Sequence, residues 1–171
     1  MNLPNLVTFL RIIFIPLLVY ILLSPGIPNG RIIAVLVFVI VAITDAVDGY
    51  LARRLKQETA LGKLLDPLAD KILVISALLC LMELRIVAAL PVIIIIIRDF
   101  AVDGLRMAAG SSGKIIAADI LGKYKTALLD VAVAMLILNL PYGTFVLWIG
   151  VILSVISGIE YFIKNKELLG G

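Results

Sequence analysis

The chain has 171 residues, 63% hydrophobic and 16% charged, with a net charge of +3, one cysteine and no histidine. An apolar fraction well above the roughly 45–50% of soluble domains, with a mean hydropathy of +1.18, makes a bilayer the natural solvent and leaves no room for a soluble lobe. The missing histidine excludes imidazole bases, histidine-bound zinc and Ser-His-Asp catalysis, the lone Cys80 excludes an intrachain disulfide, and the modest charge argues against nucleic acid as a partner.

Six apolar segments follow one another at residues 6–23, 31–51, 64–82, 86–107, 120–140 and 144–163. Each approaches the ~20 residues that a membrane helix needs. The expected fold class is therefore all-α, a polytopic bundle of six transmembrane helices forming one domain over residues 1–171. Turn chemistry separates the segments at Ser24-Pro25-Gly26-Ile27-Pro28-Asn29-Gly30, Gly110-Ser111-Ser112-Gly113 and Asn139-Leu140-Pro141-Tyr142-Gly143. Arg11 interrupts the first segment and no small-residue cleavage site follows, which predicts a retained helix rather than a signal peptide. Pro91, inside the fourth segment, predicts a kink.

Basic residues are uneven between the two sides. Arg53, Arg54, Lys56, Lys63, Lys114, Lys123, Lys125, Lys164 and Lys166 fall on the side that carries both termini, against Arg31 and Arg85 on the other. The positive-inside rule puts the termini and the basic loops in the cytoplasm, which predicts a multi-pass protein of the cell membrane.

The second segment ends Asp45-Ala46-Val47-Asp48-Gly49-Tyr50-Leu51-Ala52-Arg53, where positions 45, 48, 49, 52 and 53 share a helix face. The third begins Gly62-Lys63-Leu64-Leu65-Asp66-Pro67-Leu68-Ala69-Asp70, where 62, 66 and 70 stack. A loop of about eight residues between the two faces would form a hairpin and bring four carboxylates together. Isolated carboxylates in a membrane cost about 2.5–3.5 kcal/mol each, so four require a compensating partner. One or two hard divalent cations, Mg²⁺ or Mn²⁺, would serve and would suit phosphoryl-type transfer by bridging a diphosphate. Pairing of the acids with Arg53, Lys63 and Lys71 is the alternative.

The nine positions Asp45-x-x-Asp48-Gly49-x-x-Ala52-Arg53, then Gly62-x-x-x-Asp66-x-x-x-Asp70, resemble the complete signature of the CDP-alcohol phosphotransferases. That resemblance implies a two-metal site on Asp45, Asp48, Asp66 and Asp70, with Asp70 also the base for the acceptor hydroxyl. It further implies contacts from Asp48, Gly49, Arg53 and Gly62 to the CDP moiety, CMP as leaving group, and a homodimer. Crowding of like charges makes one of the acids a ready proton acceptor in a chain without histidine. Acyl chains would reach the site from the bilayer through a groove between helices.

A second polar set comprises Arg98, Asp99, Asp103, Arg106, Lys114, Asp119, Lys123 and Lys125. Cations beside a metal-bound diphosphate suit an acceptor that carries its own phosphate; topology signals paired with Asp99 and Asp103 are the alternative. The run Arg98-Asp99-Phe100-Ala101-Val102-Asp103-Gly104-Leu105-Arg106, with Gly113-Lys114, Leu121-Gly122-Lys123-Tyr124-Lys125-Thr126 and the opening Asn2-Leu3-Pro4-Asn5-Leu6-Val7-Thr8-Phe9-Leu10-Arg11, is similar to the phosphatidylglycerophosphate synthase branch. This likeness implies CDP-diacylglycerol as donor, sn-glycerol 3-phosphate as acceptor, and Arg98, Arg106, Lys123 and Lys125 as the phosphate clamp. Leu129 and Asp130 stand where that branch commonly has a glutamine. Inositol phosphate, serine or phosphatidylglycerol remain open as acceptors, and intramembrane acids also fit a small cation-coupled transporter.

Overall fold

The computed structural model describes the backbone of residues 3–55, 60–111 and 120–166, and side chains over 13–44, 71–110 and 120–166. The described residues form six α-helices and no strand: α1 (Leu3–Leu23), α2 (Gly30–Leu55), α3 (Ala60–Glu83), α4 (Ala89–Ser111), α5 (Ile120–Ile137) and α6 (Gly143–Lys164). The all-α expectation holds, with displaced boundaries. Helices α2 and α3 extend toward each other until only residues 56–59 separate them, because Ala52, Arg53, Arg54 and Leu55 are good helix formers even though they end the apolar run.

Pro91 does not kink a helix as expected. It is the third residue of α4, in the first turn, where its missing N–H has no intrahelical partner to lose. Pro16, by contrast, lies inside α1. Two helices stop at Schellman-type caps. Arg85 at φ 58° follows α3, with Ile86 N–H donating to Leu81 O at 2.9 Å and Arg85 N–H to Met82 O at 2.9 Å. Asn139 at φ 54° repeats this after α5, with bonds from Leu140 to Met135 O and from Asn139 to Leu136 O, and so ends that helix at Ile137.

Two compact units emerge. The first comprises Met1–Val87 and Val133–Leu140. In it α1 packs on both α2 and α3, which also touch each other. Its core is drawn from Ile15, Leu18 and Ile21 on α1, Ala34, Phe38 and Val41 on α2, and Leu73, Ala77, Leu78 and Leu81 on α3. Apart from the adjacent Ala77 and Leu78, each set recurs at three- or four-residue spacing, the period that turns one helix face inward.

The second unit, Ala88–Ala132 with Pro141–Gly171, is organised by α4 and α6. Buried positions on α6 run Gly143, Leu147, Gly150, Ser154, Ser157 and Tyr161, a heptad-like seam of mostly small residues. Facing it, α4 buries Val92, Ile95, Asp99, Val102, Leu105 and Ala109. The opposite side of α6 exposes Phe145, Ile149, Ile152, Ile156, Ile159 and Ile163. A helix apolar on every side belongs in a core or a membrane, and α6, with an 18-residue stretch of mean hydropathy 2.1, is long and apolar enough to cross one.

Closeness in this seam depends on Gly150. A Cβ there would lie 2.7 Å from Cδ2 and 3.2 Å from Cγ of the buried Leu129. Gly150→Ala is expected to cost roughly 1–3 kcal/mol through overpacking, read as a lower thermal midpoint in detergent. Combined with Leu129→Ala, the alanine at 150 should cost much less. Strictly additive losses would refute the contact.

Candidate functional site

The acidic signature belongs to the first unit. Helical backbone is continuous through positions 45–55 on α2 and 60–70 on α3, so the three- and four-residue spacing read from the sequence is realised in α-helix. The side chains of Asp45, Asp48, Gly49, Arg53, Gly62, Asp66 and Asp70 lie outside the described residues. Among the described residues no group of three or more His, Cys, Asp or Glu side chains is placed to hold a metal ion.

The second polar set is largely described, and it lies in the second unit. Arg98, Asp99 and Arg106 project from α4 and Lys125 from the first half of α5. Asp99 is the hub: its Oδ1 accepts from Lys125 Nζ at 2.6 Å and from Arg98 Nη1 at 3.0 Å, with both Asp99 and Lys125 5% exposed. Charges so deeply buried persist only when paired and hydrogen-bonded.

Arg98 also reaches α6. Its Nε donates to Ser154 O at 3.0 Å and its Nη2 to Ser157 Oγ at 2.7 Å, while Ser157 Oγ donates to Ser154 O at 3.1 Å. The stem of Arg98 passes over Gly158, where a Cβ would stand 3.0 Å from its Cγ and 3.3 Å from its Nε. Further along, Arg106 Nε donates to Tyr161 Oη at 2.9 Å and its guanidinium carbon lies 5.2 Å from the centroid of the Tyr161 ring. Partners on both helices advance together, from 98 with 157 to 106 with 161, so α4 and α6 run parallel.

The structure thus brings together Arg98 and Lys125, and holds Arg106 two turns along α4. Lys123 is exposed on α5 and makes no hydrogen bond or ion pair with them among the described residues. Lys114 and Asp119 lie outside the described residues. The alternative reading, cations paired with Asp99, has a direct observation for two of the four clamp residues. Yet three N–H bonds leave two of the five donors of Arg98 uncommitted, and one leaves both Nη groups of Arg106 without a hydrogen-bond partner among the described residues. Sequence reasoning missed Ser154, Ser157, Gly158 and Tyr161. The small-residue heptad of α6 was the signal that marks them.

Beside Arg98, between α4 and α6, runs an apolar groove of about 410 Å³ whose walls include Ile94, Ile97, Ala101, Val155, Ile159 and Phe162.

The chain is 42% identical to a CDP-diacylglycerol–glycerol-3-phosphate 3-phosphatidyltransferase of Bacillus subtilis, over 98% of this chain and 97% of that protein. Proteins of the same name from Rickettsia bellii and Haemophilus influenzae are each 36% identical, over 97% and 98% of this chain and 96% and 95% of theirs. The profile of the CDP-alcohol phosphatidyltransferases matches residues 1–156, which take in the whole acidic signature and most of the cationic set. With that match over most of its length, the chain belongs to the CDP-alcohol phosphatidyltransferase family.

Proposed function

We propose that this enzyme transfers the phosphatidyl group of CDP-diacylglycerol to sn-glycerol 3-phosphate, releasing phosphatidylglycerol phosphate and CMP. The observation that carries this reading is the near-full-length similarity to relatives whose names specify that donor and that acceptor. Arginine donors left uncommitted at Arg98 and Arg106 support it, since a phosphate monoester takes parallel N–H bonds from a guanidinium.

Family membership carries a need for divalent metal ions. The signature offers only carboxylate oxygens, a donor set that fits a hard cation, and we assign Asp45, Asp48, Asp66 and Asp70 to hold two Mg²⁺ or Mn²⁺ ions. Bound there, the ions would neutralise the diphosphate of the donor. Asp48, Gly49, Arg53 and Gly62 hold the CDP moiety. Asp70 takes the proton of the acceptor hydroxyl, whose oxygen attacks the lipid-side phosphorus as the phosphoanhydride bond to CMP breaks. Arg98, Arg106, Lys123 and Lys125 hold the acceptor phosphate. The apolar groove beside Arg98 supports lateral entry of acyl chains.

The family works in membranes, and the reading extends to six spans in a single domain over 1–171, both termini and the active site facing the cytoplasm, and a homodimer. Exposed isoleucines along α2 and α6 support a lipid-facing exterior.

Purified enzyme in detergent with CDP-diacylglycerol and Mg²⁺ or Mn²⁺ is expected to release CMP with glycerol 3-phosphate, and a chelator should stop it. A panel with inositol phosphate, serine and phosphatidylglycerol tests the acceptor. CMP release with one of these but not with glycerol 3-phosphate would overturn the assignment.

A further inference from the structure

Among the described residues, every hydrogen bond that fixes the two α4 arginines, apart from the one to Asp99, ends on α6. Ser154, Ser157, Gly158 and Tyr161 recur at i, i+3, i+4 and i+7, so one face of that helix serves both guanidinium groups. Each contact acts differently. Gly158 lets the Arg98 stem lie against the backbone, the Ser154 carbonyl and the Ser157 hydroxyl set the plane of its guanidinium, and Tyr161 takes the Nε of Arg106 while its ring lies beneath the charge.

These supports are buried. Ser154 and Ser157 are wholly buried, and Tyr161, 3% exposed, packs with Val102 and Leu105 in a small core. The hydroxyl of Tyr161 accepts only from Nε, and neither Nη group of Arg106 has a hydrogen-bond partner among the described residues. An arginine held by its Nε is preorganised for two-point binding of a phosphate, because its rotamer freedom has already been given up. Ser157, Gly158 and Tyr161 also lie past residue 156, where the family profile stops.

We infer that α6 is the positioning element of the acceptor-phosphate site, with Tyr161 and Ser157 setting affinity for the phosphorylated acceptor by orienting Arg106 and Arg98 without touching the substrate. This rests on the reading of Arg98 and Arg106 as acceptor-phosphate residues given above.

Steady-state kinetics of the full-length enzyme test it, with glycerol 3-phosphate and CDP-diacylglycerol varied separately. Tyr161→Phe keeps the ring and removes the hydroxyl. It is expected to raise KM for glycerol 3-phosphate about tenfold, the scale of a lost hydrogen bond to a charged group, while kcat and KM for CDP-diacylglycerol stay within about twofold. Ser157→Ala should act in the same direction through Arg98. In an Arg106→Ala background, Tyr161→Phe should add nothing further, since its effect passes through that arginine. An unchanged acceptor KM in Tyr161→Phe, with a raised one in Arg106→Ala, would overturn the role of α6 and leave the acceptor site standing. Unchanged acceptor KM in both would remove the acceptor site and the inference together. Equal losses for both substrates, or effects that add in the double variant, would make Tyr161 a packing residue only.

Discussion

Asp70→Asn is expected to lower turnover at least a hundredfold, measured as CMP release at saturating substrates. An amide has the shape of the carboxylate but cannot take a proton, and loss of a general base costs about 10²–10⁴ in rate. The substitution also removes a charge from a set of four acids assigned to metal. The two roles separate by titration with Mg²⁺. In Asp48→Asn, at a residue proposed as a ligand and not as the base, a higher metal concentration should recover part of the lost rate; in Asp70→Asn it should recover little. Near-normal turnover in Asp70→Asn would refute its assignment as base, and full metal rescue would reduce it to a ligand.

Asp99→Ala should produce the largest loss of stability. It strips a carboxylate 2.6 Å from the buried Lys125 and 3.0 Å from Arg98, leaving two cations where one anion joined them. Breaking a buried pair by deleting one partner costs about 3–5 kcal/mol. Thermal unfolding in detergent reads the loss, and Asp99→Asn, which keeps the hydrogen-bonding oxygen, should lose less. If both variants unfolded with the wild-type midpoint, the triad would be an ornament of the surface rather than a structural joint.

The fold was largely legible because a membrane-like sequence advertises its helices. Long apolar runs broken by Pro, Gly and Asn gave the order of all six described helices. What escaped was local. Pro91 was read as an interior residue because the apolar run extends upstream to Ile86, yet the Schellman cap at Arg85 ends the previous helix and α4 begins only at Ala89. Hydrophobicity alone does not mark a turn made of Ile86, Val87 and Ala88.

The candidate site divided in a similar way. The acids on α2 and α3 follow a spacing that sequence displays in full. Arg98 and Arg106 were also visible, as charges in an apolar run must be. Their supports were hidden because Ser154, Ser157 and Gly158 look like ordinary small residues of a membrane helix, and Tyr161 like an interfacial aromatic. A contact partner 55 or 59 residues away leaves no local trace.

The parallel pairing of α4 with α6 bears on how the chain is assembled. Synthesis proceeds from the N-terminus, so α4 leaves the ribosome well before α6. Arg98 emerges beside Asp99, a neighbour of opposite charge that travels with it, and Lys125 joins them when α5 follows. The serines and Tyr161 come last. Arg98 therefore has a counter-ion as soon as α4 is made but acquires its hydrogen bonds to Ser154 and Ser157 only when α6 docks.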